Sequence, residues 1–289
     1  MTKALPQFVL KNEPTAEETA FFQEYGYIYY KGFFDLQTEI EPVQHGIHDL
    51  LSRLLSIKGY SLERQGFSLG EFDSGLQELL KKDRAAVGQL YDMCKALPCY
   101  IALAAHKKHE IVSRALLGSS LVGFAPRGYG IRMDHPNEEK FLTQLHQDYI
   151  SQLCSQHGVV FWSPLRHTDQ PLGPVKIFLK SHKDGVFPII KHEHSSKGLQ
   201  IQNEDALRNR FECITPEVGV GDCVIIHYLT LHESSPNLTQ KTRWAMLSRY
   251  FDFNHPSGAA YGWKGGIQEG NFFDQVHPEL TVLADAGSP

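Results

Sequence analysis

The spacing of apolar residues changes about a third of the way along the chain. In the first third, apolar residues such as Ile47, Leu51 and Leu55 recur every three or four positions, which is typical of an amphipathic helix. We therefore predict helices over residues 36–57 and 76–97.

A shorter helix is predicted near the start of the chain by a capping pattern. Thr15 and Glu18 are three residues apart, so the side chain of each can accept a hydrogen bond from the backbone N–H of the other. This helix should run over residues 15–25 and end at Gly26. The aromatic run 27–30 that follows predicts a strand.

From residue 121 onward the apolar runs become short. Gly, Pro, Asn and Asp separate them, and they predict strands at 121–124, 128–133, 141–149, 157–165, 174–179, 211–214, 222–228 and 244–252. This number of strands is enough for a two-sheet sandwich or barrel. Long helical crossovers are missing, which disfavours a doubly wound parallel sheet.

The composition is that of an ordinary globular protein, with 42% hydrophobic and 21% charged residues among 289. We expect one domain, with a mainly helical part over about 1–118, a β core over about 119–255 and an irregular tail over 256–289. The net charge is −5 and there is no long basic run, so the chain lacks the electrostatic signature of a nucleic-acid-binding protein.

Cysteine usage and the start of the chain bear on the compartment. The five cysteines form no CxxC pair, which argues against a disulfide framework and a thiolate zinc site. The first residues lack a basic start followed by an apolar stretch, and no run of about 18 apolar residues occurs. We expect a cytoplasmic protein without a membrane span.

A possible metal-ligand pair lies in the predicted strand 141–149. His146 and Asp148 are two residues apart, so strand alternation would place both side chains on one face. Two histidines and one carboxylate form the triad that binds iron(II) while leaving coordination positions open. His232 is the best candidate for the second histidine, because it follows the predicted strand 222–228.

An anionic cosubstrate would need a basic partner near such a metal. Arg243 lies eleven residues after His232, beyond the turn-like Pro236-Asn237 and at the start of the predicted strand 244–252. Arginine binds carboxylates in bidentate fashion. Arg243 is therefore the predicted partner of a carboxylate of such a cosubstrate.

These motifs, in this order, resemble the phytanoyl-CoA dioxygenase-like family of iron(II)- and 2-oxoglutarate-dependent oxygenases. The resemblance covers about residues 120–255 and differs at Lys180, where the family usually has glycine. The matching residues are His146-Gln-Asp148, Trp162 to Leu165, Gly173-Pro174 leading to Ser181-His182, Gly221-Asp222, and His232 through Pro236-Asn237 to Arg243.

The resemblance implies a mainly β fold with helical elaborations, in which N-terminal helices pack on a double-stranded β-helix (jelly-roll, cupin-like) core. It implies that His146, Asp148 and His232 hold Fe(II), that Arg243 holds 2-oxoglutarate, and that O2 is the oxidant. The expected reaction releases succinate and CO2 and hydroxylates a small-molecule, lipid or sugar-type substrate. Because Asp148 provides a carboxylate, halogenation is disfavoured.

Other polar residues have two interpretations each. Arg132, on the preceding strand, either points into the barrel towards 2-oxoglutarate or substrate, or forms an exterior salt bridge. Trp162 either lines the cofactor pocket or fills the core. Arg249 shares a strand face with Arg243 and either binds an anionic substrate group or lies at the surface. The run His192-Glu-His194 is interpreted as part of a solvated loop.

Two rival functions stay open at this point. A cupin-like metalloenzyme that does not use 2-oxoglutarate would have no need for Arg243, and a catalytically silent binding protein would keep the same barrel. The loop 185–207 is long enough to be a lid. Neither the substrate nor the oligomeric state follows from the sequence.

Overall fold

Helices occupy most of the first third of the chain in the computed structural model, which describes residues 6–138, 141–191 and 199–283. Their bounds are α1 (Ala16–Tyr25), a π-helix (Leu36–Ile40), α2 (Glu41–Lys58), α3 (Leu76–Lys82), α4 (Arg84–Cys94), α5 (Pro98–Ala104) and α6 (Lys107–Leu117). Shorter helices follow later: α7 (Tyr149–Gln152), α8 (Glu204–Arg210), α9 (Pro256–Ala260) and α10 (Phe273–Val276), with 3₁₀ turns at Ser181–Asp184, Ile267–Glu269 and Pro278–Leu280.

The capping prediction at the start of α1 is confirmed. The Glu18 amide donates to Thr15 Oγ1 at 3.2 Å, and the Thr15 amide donates to Glu18 Oε2 at 2.8 Å. Gly26 ends the helix with a φ of 78°, a left-handed conformation that glycine adopts without steric cost.

The predicted helix over 76–97 is wrong as one continuous element, because the chain leaves the helical conformation at Asp83. The backbone there has φ −149° and ψ 84°, and the Asp83 carboxylate accepts a hydrogen bond from the Ala86 amide at 2.9 Å. Asp83 thus ends α3 and caps α4. The predicted helix over 36–57 is confirmed, as a π-turn continued by α2.

The strands of the described residues form three sheets. Their bounds are β1 (Tyr27–Tyr30), β2 (Val122–Phe124), β3 (Gly130–Asp134), β4 (Gly158–Pro164), β5 (Val175–Phe178), β6 (Ile189–Lys191), β7 (Leu199–Ile201), β8 (Cys213–Ile214), β9 (Cys223–His227), β10 (His232–Ser234), β11 (Arg243–Asp252) and β12 (Thr281–Leu283). The large sheet has the order β1-β9-β4-β11-β2, with β3 also paired to β11. The smaller sheets are β10-β5-β8 and β12-β6-β7, and among the strand pairs of the described residues β12–β6 is the parallel one.

The large sheet is covered on both faces. One face packs against the helices through residues such as Phe161, Ile225 and Trp244. The other face packs against β5 and β8, where Ile177 and Ile214 share a core with Val224. The fold is therefore mainly β with helical elaborations, as expected, and the described strands form facing antiparallel sheets rather than a closed barrel.

The predicted strand over 141–149 is wrong. Within it, His146 forms one isolated antiparallel bridge, to His232, and Asp148 has helical angles (φ −60°, ψ −31°) at the start of α7. Strand alternation is therefore not what brings residues 146 and 148 together. The bridge to β10 fixes the backbone at His146, and the turn into α7 directs Asp148.

The described part of the tail, residues 256–283, contains more regular secondary structure than predicted. It contains α9 and α10, and β12 extends the sheet of β6 and β7. The predicted lid 185–207 includes β6 and β7, while His192-Glu-His194 lies outside the described residues. Lys180 has a φ of 65°, so it keeps a backbone conformation that glycine adopts easily. Within the described chain, no helix has the length and apolar character needed to cross a membrane.

Candidate metal centre

Three of the predicted site residues meet between the two facing sheets. His146, Asp148 and His232 each offer a ligand atom, and these atoms lie within 4.8 Å of one another. His146 Nε2 is 3.9 Å from Asp148 Oδ1, and His232 Nε2 is 3.9 Å from Asp148 Oδ2. Among the described residues this is the one group of three or more such ligands.

The backbone sets the orientation of both imidazole rings. His146 Nδ1 lies 2.9 Å from the Gln144 carbonyl oxygen, and His232 Nδ1 lies 2.9 Å from the Thr230 carbonyl oxygen. Because a carbonyl only accepts, each Nδ1 carries the proton and each Nε2 presents a lone pair. Reciprocal backbone hydrogen bonds between His146 and His232, of 3.0 and 3.1 Å, hold the two residues side by side.

The electrostatics keep the ligands in the protonation states that a metal requires. Burial and the neighbouring His232 lower the pKa of His146 to about 3, and burial also lowers the pKa of His232. Burial alone would raise the pKa of Asp148, but Arg249 and the two histidines outweigh it and lower that pKa to about 2. At neutral pH the site is two neutral imidazoles and one carboxylate.

The donor set fits a divalent iron ion. Two imidazole nitrogens and one carboxylate oxygen are the ligands of the facial triad of non-haem iron(II) oxygenases. Asp148 Oδ2 is buried and has no hydrogen-bond partner within the described chain, which is costly for a carboxylate oxygen unless a cation or donor binds it.

A basic cluster lies beside the triad. Arg243 is buried, with Nη2 2.8 Å and Nε 3.2 Å from Asp134 Oδ2, and its Nη1 donates to the Ser235 carbonyl at 3.3 Å. Arg132 binds the other side of the same carboxylate, with Nη2 2.7 Å from Asp134 Oδ1, and also binds the Thr143 hydroxyl. Two guanidinium groups share one carboxylate, so the cluster has a net charge of +1.

The triad and the two arginines of the cluster line one cavity of about 310 Å³. Arg132 and Arg243 reach it from β3 and β11, which pair in register at Asp134 and Arg243. Trp162 of β4 forms part of the wall and is 7% exposed. The structure thus brings together all six residues that the sequence proposed for metal and cofactor.

Comparison with protein-family models decides which family this is. The model described as phytanoyl-CoA dioxygenase (PhyH) matches residues 22–245. The chain belongs to the PhyH family. No curated protein matches its sequence significantly.

Solved structures with a similar fold include several iron or ketoglutarate proteins. The non-heme alpha ketoglutarate dependent carbocyclase SnoK from nogalamycin biosynthesis is 15% identical, with a TM-score of 0.54 over 83% of this chain and 84% of its own. The epimerase SnoN from the same biosynthesis is 18% identical, with a TM-score of 0.50 over 85% and 86%. EctD from S. alaskensis with bound Fe is 17% identical, with a TM-score of 0.53 over 83% and 77%. At identities of 15–18%, these comparisons show similarity of fold alone.

The structure also places three further polar residues of this PhyH-family chain. Arg249 is not at the surface: its Nη2 lies 3.0 Å from Asp148 Oδ1. His182 and His227 contact each other beside α1, with ring centroids 5.4 Å apart, and do not line the cavity.

Sequence reasoning missed Asp134, which joins Arg132 to Arg243. It lies two residues after Arg132 on β3, so alternation places both side chains on one face. The two-residue spacing in the sequence could therefore have indicated that Arg132 and Asp134 form a pair. The pairing with Arg243 depends on the register between β3 and β11, which the sequence does not reveal.

Proposed function

We propose that this PhyH-family chain is an Fe(II)- and 2-oxoglutarate-dependent dioxygenase that hydroxylates a small-molecule substrate. One observation carries the proposal: a triad of two histidines and one aspartate opens on the same 310 Å³ cavity as the buried Arg243 and the partly buried Arg132. The triad provides ligands for a metal, and the cluster provides a partner for an anionic cosubstrate.

In this proposal His146, Asp148 and His232 hold Fe(II), which supplies the redox chemistry that couples reduction of O2 to oxidation of 2-oxoglutarate and substrate. The protein presents the ligands ready to bind. Each imidazole is fixed through its Nδ1–H, so no proton has to leave the Nε2 atoms. The Asp148 carboxylate is anionic at neutral pH because Arg249 and the histidines lower its pKa.

Arg243 is the proposed partner of the far carboxylate of 2-oxoglutarate. Its contacts with Asp134 and Ser235 use three of its five N–H groups, so two remain, as many as a bidentate carboxylate accepts. The net charge of +1 on the Arg132–Asp134–Arg243 cluster favours an anion in the cavity. Arg132 adds to this field and is the second proposed contact.

The cavity points to a small substrate. Its volume of about 310 Å³ lies at the lower end of the range of about 300–1,000 Å³ that small-molecule sites occupy. Val160, Trp162, Ile226 and Leu247 supply an apolar wall, which limits the access of water. A structure of EctD contains 2-oxoglutarate and 5-hydroxyectoine, so this fold can hold a small molecule together with the cosubstrate.

Two further expectations belong to the proposal. All five cysteines are free, which supports a reducing compartment, and we place the protein in the cytoplasm. A cupin-like metalloenzyme without 2-oxoglutarate is disfavoured, because such an enzyme has no use for a buried arginine beside the triad. The presence of the complete triad disfavours a catalytically silent binding protein.

The test uses ¹⁸O₂ and metabolite pools. Purified iron-loaded protein is incubated with 2-oxoglutarate and fractions of a metabolite extract, and succinate is quantified with the Asp148→Ala variant as control. A hydroxylase puts one ¹⁸O atom into succinate and one into the product, whereas an epimerisation or ring closure leaves the product unlabelled. Absence of succinate with every fraction, and without substrate, would contradict the proposed function.

A further inference from the structure

Arg249 contacts the carboxylate of the proposed metal ligand Asp148. Its Nη2 lies 3.0 Å from Asp148 Oδ1, and its Nη1 donates to the Gly128 carbonyl at 3.4 Å. The Asp148 side chain is 1% exposed. Within the described chain Arg249 is the hydrogen-bond partner of this carboxylate, because Oδ2 has none.

The fold makes room for this contact. Arg249 lies six residues after Arg243 on β11, so strand alternation points both side chains into the cavity. The loop before β3 passes close to Arg249 at Gly128. A Cβ atom at Gly128 would lie 3.1 Å from the Arg249 Cβ and 2.6 Å from the Ala125 Cβ. A larger residue there would therefore displace the loop or the arginine.

Asp148 has little else to orient it. The residue begins α7, but its side chain makes no capping hydrogen bond to that helix. A carboxylate held only by its backbone can rotate about the Cβ–Cγ bond and exchange its two oxygens. The guanidinium of Arg249 removes this freedom, because it binds Oδ1 and leaves Oδ2 on the side of His232.

We propose that Arg249 is a positioning residue that holds Asp148 Oδ1 and thereby presents Oδ2 to the metal. This proposal rests on the proposed function, since it assigns Arg249 a part in the same metal site. Partners that orient metal ligands in this way typically affect metal affinity by about 10- to 100-fold.

Charge and orientation make opposite predictions for the loss of Arg249. A guanidinium repels a nearby divalent cation, so by charge alone its removal would strengthen metal binding. Loss of orientation would weaken metal binding, because the carboxylate must then be immobilised by the metal itself. The sign of the change in metal affinity therefore separates the two effects.

The experiment measures Co(II) binding to the full chain without 2-oxoglutarate, using the visible d–d bands, which respond to the ligand geometry of the ion. The variants are Arg249→Met, which removes every donor, and Arg249→Lys, which keeps one charged donor. Arg166→Met is the matched control. Arg166 also binds a buried aspartate and a backbone carbonyl, at Asp73 and Gly70, and its side chain is 12% exposed compared with 16% for Arg249.

We expect Arg249→Met to weaken Co(II) binding by about tenfold or more and to change the d–d spectrum. Arg249→Lys should recover part of the Co(II) affinity. Arg166→Met should match wild type in both Co(II) affinity and d–d spectrum. If Arg249→Met does not fold, Arg249→Gln takes its place, with circular dichroism and thermal unfolding as the check.

The proposal would be overturned if the folded Arg249 variant binds Co(II) as tightly as wild type, or more tightly, and keeps the wild-type spectrum. If 2-oxoglutarate affinity then falls on its own, Arg249 contacts the anion directly instead. Failure of the wild-type protein to bind Co(II) or Fe(II) would contradict the proposed function. This outcome is distinguishable from the two results above, because those concern the Arg249 variant.

Discussion

Replacing Arg243 by alanine probes the proposed cosubstrate contact. The change removes a buried guanidinium whose side chain is 3% exposed, and it lowers the net charge of the cluster with Arg132 and Asp134 from +1 to zero. Asp134 keeps Arg132 as a partner, so the protein should still fold. Iron should still bind, because Arg243 contacts none of the three ligands.

The size of the expected loss of 2-oxoglutarate affinity follows from the loss of one buried, charge-assisted hydrogen-bond pair. Truncating one partner of such a pair costs about 2–5 kcal/mol, much of it from leaving the other charge unpaired. At about 1.4 kcal/mol per factor of ten, 2-oxoglutarate affinity should fall by roughly thirtyfold to several thousandfold. Arg243→Lys keeps the charge but loses the planar fork, so it should be intermediate.

The assay is an anaerobic titration of 2-oxoglutarate into iron-loaded wild type, Arg243→Lys and Arg243→Ala. Arg166→Ala serves as the control, because Arg166 forms a comparable buried pair with Asp73 outside the cavity. Equal affinities in wild type and both Arg243 variants would refute the reasoning. Arg132 would then be the next candidate for the carboxylate partner.

Three further predictions concern the metal, the packing and the pH response. His146→Ala should weaken Fe(II) binding by roughly a hundredfold or more in competition with a chelator, because it removes one of three ligands. Gly26→Ala should lower the free energy of unfolding in urea by more than Gly118→Ala. Both glycines have positive φ, but a Cβ at Gly26 would lie 2.3 Å from the Thr230 hydroxyl and one at Gly118 meets nothing within 4 Å. His109 is buried, and burial lowers its pKa from 6.5 to about 3. Between those values the unfolded chain binds a proton that the folded protein does not, so the free energy of unfolding should decrease as the pH falls, by roughly 1 kcal/mol per pH unit. His109→Phe should reduce this change of the free energy of unfolding with pH, measured by denaturation curves between about pH 3 and 6.5. An unchanged pH dependence would show that other groups cause it.

Elements with local signals could be predicted from the sequence. The α1 cap depends on two residues three positions apart, and the alternation in β11 depends on neighbours along one strand. Both are present in the structure. The triad was also predictable, because the order and spacing of His146, Asp148 and His232 match a family pattern.

Features that depend on pairing across the fold were not predictable. The strand proposed for 141–149 is absent, and a bridge to His232 and the turn into α7 bring the His146 and Asp148 side chains together instead. The contact between Asp148 and Arg249 joins residues 101 positions apart. No local periodicity indicates which arginine of β11 contacts Asp148 and which contacts Asp134.

The most direct test of the central claim is the visible spectrum of the anaerobic protein with Fe(II) and 2-oxoglutarate. Chelation of ferrous iron by a 2-oxo acid produces a weak charge-transfer band, and neither component produces it alone. We predict one Fe(II) per chain and a band that appears only when 2-oxoglutarate is added, and that is absent in His146→Ala. Iron bound at the predicted site with no band at saturating 2-oxoglutarate would contradict the account.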